Sequence, residues 1–431
     1  MRTVGLLFPA TETPVSLLFG GITVLERQAR QLRRAGATLL FAIDIEPLTE
    51  LPAGVEAIGP GALASRINAS DRVATIAAGL IIDERAIDAV LAAPAPALLV
   101  CDPARPDAVA IERIDSASAA AGVMVLPGTL VIAQVLGLGE WDLASTLIRA
   151  TAADPATTRI DFHGLPIYAP ARRRDAPMLW LRPDESGADA ATRQLISAAQ
   201  KGCLDWPARF LHPWPENLLV RLLAPTPVTP NQVTAVTAVV GIGAAIAFAT
   251  GWLWTGLILA LVTGPLDGVD GKLARTRVEF SKWGDLEHLV DKLLEYAWYL
   301  CLAWYFSGLR GTGLPWAVAA LIILPAIAEA VQGEFFRRLT GVQLDDAGVA
   351  ERRIRLVAGR RNTFLWTWAI FAASGLWFEG FVLLSVYSVV TTGVAQWRFY
   401  KRLSAYARAH GERIAANYAA TAYTFLPPTN L

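Results

Sequence analysis

The chain has 431 residues, 54% of them hydrophobic and 18% charged, with 38 lysines and arginines balancing 38 aspartates and glutamates. A mean hydropathy of +0.41 excludes a disordered chain, and the even charge balance excludes a polybasic nucleic-acid binder. The balance hides a split: residues 1–200 are charged like a soluble protein, whereas 233–398 hold long runs almost free of charge. The chain is expected to be part soluble and part embedded, in two or three domains. Cys101, Cys203 and Cys301 lie far apart and read as reduced thiols. The first residues lack the apolar length and small-residue cleavage signal of a secretory leader, so the first domain is expected to stay in the cytosol.

In chain order, 3–8 reads as a strand, 23–35 as an amphipathic helix and 38–43 as a second strand, a βαβ start. In that helix Val24, Leu25, Ala29 and Leu32 share a face, and Arg27, Arg30, Arg33 and Arg34 are expected to look outward. Residues 73–82 and 97–100 are further buried-strand candidates with a helix over 84–92 between them, which predicts an open α/β sheet. Strands and turns follow over 159–183 and a helix over 188–201. From 203 to 230 the composition turns aromatic and basic, with Trp206, Arg209, Phe210, Trp214 and Arg221, as suits a juxtamembrane helix lying among lipid headgroups.

Six hydrophobic runs come next: 233–250, 252–265, 289–309, 316–331, 364–378 and 381–397. A crossing needs about 20 apolar residues, so several must be completed by amphipathic ends, and six crossings are expected. Basic residues cluster over 272–282, 337–361 and 398–402, which places both termini and the two large loops in the cytosol. His212 and His410 stand outside any cluster and read as surface residues.

Between the second and third runs stands Asp267-x2-Asp270-Gly271-x2-Ala274-Arg275-x8-Gly284, followed by Glu287, His288, Asp291 and Lys292. Acids at membrane-helix ends are costly unless they do something. Asp267 and Asp270 are three apart, and Glu287 and Asp291 four apart, so each pair is expected to share a helix face. Four carboxylates that stay ionised together imply a divalent cation, and hard oxygen ligands favour magnesium or manganese. Gly271 and Ala274 leave room at the backbone, and Arg275 offers a bidentate grip on phosphate. Glu329, inside the fourth run, is a further functional candidate.

This pattern resembles the signature of the CDP-alcohol phosphotransferases, integral membrane enzymes with six helices. That signature normally finishes Gly-x3-Asp-x3-Asp, and strict counting from Gly284 lands on His288 and Lys292. Allowing one missing residue makes the last two acids Glu287 and Asp291, with the role of His288 left open. The resemblance then implies that Asp267, Asp270 and Glu287 hold divalent metal on the CDP pyrophosphate, with Asp291 joining a second metal or acting as base. Asp267, Gly271, Ala274, Arg275 and Gly284 would bind the CDP moiety. Thr229-Pro230-Asn231 is similar to the family's approach to its first span. Arg361 and Asn362 look like acceptor or phosphate contacts, with positive-inside anchoring as the alternative, and Glu329 and His288 join that list of contacts.

The soluble part, with Gly20-Gly21 ahead of the first helix, looks like the opening of a sugar-phosphate nucleotidyltransferase domain. The join at Lys201, Asp205 and Arg209 is similar to that in enzymes fusing an inositol phosphate cytidylyltransferase to a di-inositol phosphate synthase. The loop over 9–20 lacks a Gly-rich basic run, and Gly79 stands where a metal-binding Asp is sought, so the domain reads as degenerate. The expected fold is an N-terminal α/β nucleotidyltransferase-like domain (1–200), a juxtamembrane linker (201–230), a six-helix transmembrane domain (231–403) and a cytosolic tail (404–431). The resemblance implies a multi-pass inner-membrane enzyme that moves a phosphoryl-alcohol or phosphatidyl group from CDP-diacylglycerol or a CDP-alcohol to a hydroxyl acceptor, a lipid or polyol phosphate, releasing CMP. It implies Mg2+ or Mn2+ as cofactor, membrane lipids as surroundings and no nucleic acid, and it allows a homodimer. A bifunctional enzyme that also makes the CDP-alcohol from CTP is one alternative. A transporter or nucleotide-sensing scaffold is the other.

Overall fold

The structure, a computed structural model, describes residues 2–8, 17–44, 51–280 and 284–421, with side chains described outside 284–289 and 413–421. The 9–16 part of the first loop therefore lies outside the described residues. The chain divides into two compact units, Met1–Gln200 with Asn217–Val228 and Lys272–Phe280, and Lys201–Glu216 with Thr229–Gly271 and Ser281–Leu431.

The first unit is built on β1 (Thr3–Leu7), the short pair β2 (Leu18–Phe19) and β3 (Ile22–Thr23), α1 (Val24–Arg34), β4 (Leu39–Ile43), β5 (Glu56–Ile58), α2 (Pro60–Arg66), β6 (Arg72–Ile76) and β7 (Ile81–Ile82). It continues through α3 (Glu84–Ala92), β8 (Ala97–Cys101), β9 (Glu112–Arg113), β10 (Ala119–Pro127), α4 (Gly128–Leu136), α5 (Leu143–Ala153) and β11 (Thr158–Asp161). Three two-residue strands, β12 (Tyr168–Ala169), β13 (Arg174–Asp175) and β14 (Trp180–Leu181), precede α6 (Ala188–Ala198).

The main sheet runs β11-β8-β10-β6-β1-β4-β5. Its pairs are parallel around β1, and β10 is antiparallel to both β6 and β8. Strand alternation sends Leu7, Leu40 and Ala42 to one face, where α1 and α3 bury Leu25, Leu32 and Ile87. It sends Val4, Leu6 and Phe41 to the other, against Leu63 of α2, Val131 of α4 and Leu147 of α5. A sheet covered on both faces follows from these near-continuous apolar strands. Each fully buried Leu or Phe contributes about 1.5–3 kcal/mol.

Local chemistry sets the ends of these helices. The Thr23 hydroxyl accepts from the Glu26 amide at 3.1 Å to cap α1, and Asp83 caps α3 through the Arg85 amide. Gly122, with φ +95°, sits where the β10–β8 register slips, and a Cβ there would fall 2.5 Å from Leu80 Cδ2. The expected 73–82 strand is split by the turn before β7, and the nine-residue β10 was not anticipated. Arg27 corrects the outward-facing expectation: it is 3% exposed and donates to the Phe19 and Thr276 carbonyls.

In chain order the remaining helices are α7 (Trp206–Phe210), α8 (Pro213–Leu223), α9 (Pro230–Ala249), α10 (Leu253–Arg277), α11 (Gly284–Arg310), α12 (Leu314–Thr340), α13 (Val349–Val357), α14 (Arg361–Ala373) and α15 (Trp377–Thr421). Among its described residues the second unit holds helices and no strand. Thr229 and Gln232 close a capping box on α9 with Pro230 in its first turn. Trp298, Trp368, Phe248 and Phe381 form its aromatic core, and the Trp298 indole donates to the Gly241 carbonyl at 2.8 Å.

Four described helices are long and apolar enough to cross a membrane: Pro230–Ala249, Leu253–Arg277, Leu314–Thr340 and Trp377–Glu412. Val236, Val239, Ile242 and Ile246 of α9 are exposed, as a lipid-facing surface requires. The protein is thus a membrane protein. The other two expected crossings fall on α11, whose first half carries several charges, and on α14, whose 13 residues reach only about 20 Å. The fifth apolar run is cut at Gly375, φ +75°, so Phe378 opens the next helix instead of closing α14.

Glu351 ties α13 to α15: its Oε1 accepts from Arg398 Nε at 2.8 Å and Arg402 Nε at 2.7 Å. Burial alone pushes the Glu351 carboxyl up, but the hydrogen bonds from Arg402 and Arg398 outweigh it and hold the group down to about 2. A depressed carboxyl stabilises the fold fully above its free value and loses that stabilisation as pH falls toward the folded value. Thermal unfolding in detergent is therefore expected to show wild type losing stability between about pH 4.5 and 2 faster than Glu351→Gln, which starts lower. Parallel pH profiles for the two proteins would refute the tie.

Candidate active site

The acids of the motif lie on α10 and α11 and find different neighbours. Asp270 is 2% exposed and its Oδ2 accepts from the Thr234 hydroxyl of α9 at 2.7 Å. Asp267 Oδ2 lies 2.6 Å from Nη2 of Arg361, the first residue of α14. The other guanidinium nitrogen, Arg361 Nη1, is 3.9 Å from Asp291 Oδ1 of α11. One planar fork thus stands between a carboxylate from each of two helices, a geometry that suits arginine and not lysine.

Asp291 faces this cluster, while Lys292 turns to Glu295 at 2.9 Å. Gly284 begins α11, and the side chains of Glu287 and His288 lie outside the described residues. Gly271 and Ala274 are half-buried on α10, and Arg275 Nε donates to the Ala199 carbonyl at 2.7 Å within the first unit. Asn362 Nδ2 lies 3.3 Å from both carboxylate oxygens of Asp205. Glu329 accepts from the Thr392 hydroxyl of α15 at 2.6 Å. The structure therefore gathers Asp267, Asp291 and Arg361, sets Asp270 beside Thr234, and gives Glu329 a partner elsewhere in the bundle.

Three residues that sequence reasoning did not place beside the motif are its neighbours. Asp205 caps α7 through the Ala208 amide and holds Asn362, next to Arg361. His212, expected at the surface, is 3% exposed: a Cβ on Gly264 would lie 2.7 Å from its Cε1. Burial, aided by Arg361, pulls the imidazole down to about 4 against the opposing pull of Asp205 and Asp267, so it is neutral at physiological pH. Glu216 is 4% exposed, with Oε1 2.2 Å from where a Gly268 Cβ would sit. The signal was present: His212 and Glu216 are four apart, as are Gly264 and Gly268, which flank Asp267.

Among the described residues no group of three or more His, Cys, Asp or Glu side chains is close enough to hold a metal. In type the donors suit a hard divalent cation, since Asp267, Asp270 and Asp291 offer only carboxylate oxygens, while Arg361 already supplies positive charge between Asp267 and Asp291. Chemically, paired acids beside a guanidinium can bind a pyrophosphate–cation complex and accept a proton.

Residues 227–397 match the family described as CDP-alcohol phosphatidyltransferase. The C-terminal part of this chain is a CDP-alcohol phosphatidyltransferase domain. The chain is similar to curated proteins called bifunctional IPC transferase and DIPP synthase. That of Aquifex aeolicus is 28% identical over 176 residues, 39% of each chain. That of Thermococcus kodakarensis is 30% identical over 182 residues, 40% of this chain and 38% of its own. The match thus spans about two fifths of the length of these relatives. A solved phosphatidylinositol phosphate synthase of Mycobacterium tuberculosis with CDP-DAG bound is 19% identical, with a TM-score of 0.34, covering 44% of this chain and 94% of that chain.

The phosphatidyltransferase domain's tolerance at Gly268 is a direct test of the Glu216 packing. Gly268→Ala is expected to lower the melting temperature in detergent, an overpacking penalty of about 1–3 kcal/mol. Gly268→Ala/Glu216→Ala should recover much of it. A single variant as stable as wild type would show that Glu216 does not press on α10.

Proposed function

We propose that the chain transfers a phosphoryl-alcohol or phosphatidyl group from a CDP-linked donor to an acceptor hydroxyl, with release of CMP. The observation that supports this most directly is Arg361 placed between Asp267 and Asp291 inside the matched family region. Asp267, Asp270, Glu287 and Asp291 would hold Mg2+ or Mn2+. The bound ion would neutralise the pyrophosphate and the departing CMP oxygen.

The chain's own residues do the rest. Gly271, Ala274 and Gly284 leave space for the CDP moiety, with Asp267 and Arg275 as further contacts. Asp291 takes the proton of the acceptor hydroxyl as that oxygen attacks phosphorus in line and the bond to CMP breaks. Arg361 screens the acids and orients phosphate, and Asn362 fixes the start of α14 through Asp205. The donor is CDP-diacylglycerol or a CDP-alcohol, and the acceptor a lipid or polyol phosphate. Residues 1–200 act as a nucleotidyltransferase-like scaffold, 201–230 as a membrane-surface linker, 231–403 as the transferase domain and 404–431 as a cytosolic tail.

Asp291→Asn is expected to reduce CMP release by about 10²–10⁴-fold, with Asp267→Asn at least as damaging, while Lys292→Ala stays within a few-fold of wild type. Chelation by EDTA should abolish release and Mg2+ or Mn2+ restore it. Normal turnover in Asp291→Asn would sink the assignment of the base.

CDP-linked donors and magnesium are cytosolic, so the acids must face the cytosol of an inner-membrane protein whose termini lie on that side. Thr312 and Arg408 are both exposed and sit in oppositely directed segments under this topology. In a background with the native cysteines replaced, Thr312→Cys should react with an impermeant maleimide on intact cells, and Arg408→Cys only after permeabilisation. The reverse pattern would leave the acids without access to their donor.

A further inference from the structure

A helix ends with four carbonyls that its own amides cannot meet. Helix α10 ends at Arg277, within the Lys272–Phe280 segment that belongs to the first unit, and there all four carbonyls have donors. The Ala274 carbonyl accepts from the Glu279 amide at 2.8 Å and the Arg275 carbonyl from the Val278 amide at 3.5 Å, the closure of a Schellman turn. The other two are met from α1: Arg27 Nη2 donates to the Thr276 carbonyl, and Arg30 Nη1 to the Arg277 carbonyl at 3.0 Å. Guanidiniums placed there also answer the negative end of the helix dipole.

The turn is a strained one. Its left-handed position, φ +53°, is filled by Val278, buried and β-branched, where glycine is the usual residue. Such a conformation persists only where its surroundings over-determine it. The residues ahead of α1 are shaped to supply that: a Cβ on Gly20 would come 2.8 Å from Thr276 Cγ2, and one on Gly21, φ +87°, would fall 1.7 Å from the Ala224 carbonyl oxygen. Arg277, 5% exposed, donates in turn to the carbonyls of Leu223 at 2.9 Å and of Ala224 and Val228 at 2.7 Å. The Gly20-Gly21 pair therefore packs against this turn and its neighbours.

Ala274 and Arg275, whose carbonyls close the turn, are the residues that would meet the CDP moiety in the proposed reaction, and the Ala199 carbonyl also holds Arg275 by its Nε. Resting on that reading, we propose that Arg27 and Arg30 are positioning residues of the transferase, closing the last turn of α10 so that Ala274 and Arg275 are held ready for the donor. The soluble unit then serves the reaction by preorganisation, since a turn left to fray must be ordered afresh at each binding event.

The test uses the full chain in detergent at pH 7 with Mg2+, reading hydrogen exchange over residues 272–280 and the affinity for CMP by calorimetry. Arg27→Gln and Arg30→Gln are each expected to speed exchange there and to weaken CMP about tenfold. The Arg30 side chain is 27% exposed, so its variant decides the matter if Arg27→Gln unfolds. Val131→Ala, in the core on the other face of the sheet, is expected to lower the melting temperature and leave both readouts at wild-type values. Exchange over 272–280 that neither arginine variant alters overturns the cap. Faster exchange with CMP affinity unchanged overturns the positioning role, and so does an equal loss of CMP affinity in Val131→Ala, which reduces the effect to general stability. A wild type that binds no CMP refutes instead the assignment of Ala274 and Arg275 to the donor, and the proposal falls with it.

Discussion

Ionised carboxylates on neighbouring helices repel each other in a low-dielectric interior unless a cation stands between them, and for Asp267 and Asp291 Arg361 is such a cation. Two ionised groups about 4 Å apart interact several times more strongly near a protein than in bulk water. Asp267 and Asp291 left facing each other would drive α10 and α11 apart or force one acid to take a proton. The guanidinium fork eases that conflict by facing both carboxylates at once. Its position depends in turn on the start of α14, where Asn362 is gripped by Asp205.

The same constraint explains the glycines of α10. An acid-bearing helix that must also accept buried polar groups from the 201–216 segment needs slots where side chains are missing. Gly264 admits His212 and Gly268 admits Glu216. Pro265 lies between them and removes one backbone donor from the ladder, so α10 is locally weaker just where Asp267 projects. Propensity is sacrificed there to close approach, a trade common at functional sites and rare in a span that serves only to anchor.

Much of this was legible because the motif is local. Fixed offsets along one helix put Asp267, Asp270, Gly271 and Ala274 in known relation before any tertiary structure is considered, and the α/β start at 3–43 followed from period alone. What escaped depends on partners distant in sequence. The β10 strand opens with three alanines and a glycine, a poor strand former whose identity comes from pairing with β6 and β8. Arg27 looked solvent-bound by periodicity, yet the carbonyls of Phe19, eight residues before it, and of Thr276, far along the chain, accept its hydrogen bonds. His212 gave no sign of burial by itself, because the slot that receives it is an absence of side chain some fifty residues later.

Glu329 shows how a membrane acid can be accounted for without chemistry. Its Oε1 meets the Thr392 hydroxyl at 2.6 Å, and one turn on, Gln332 and Gln396 exchange hydrogen bonds, Gln332 Nε2 to Gln396 Oε1 at 2.8 Å and Gln396 Nε2 to Gln332 Oε1 at 2.5 Å. Both pairs join α12 to α15, each about one turn from the other: three residues apart on one helix, 329 to 332, and four on the other, 392 to 396. Apolar side chains discriminate poorly between helix registers in lipid, since tails and leucines are equally oily. Two polar rungs one turn apart do discriminate, because a slip of one residue would leave four half-buried polar groups unpaired. The ladder therefore fixes how α12 and α15 lie together. The carboxylate that composition marks for catalysis has a sufficient physical reason to be there as one of its rungs.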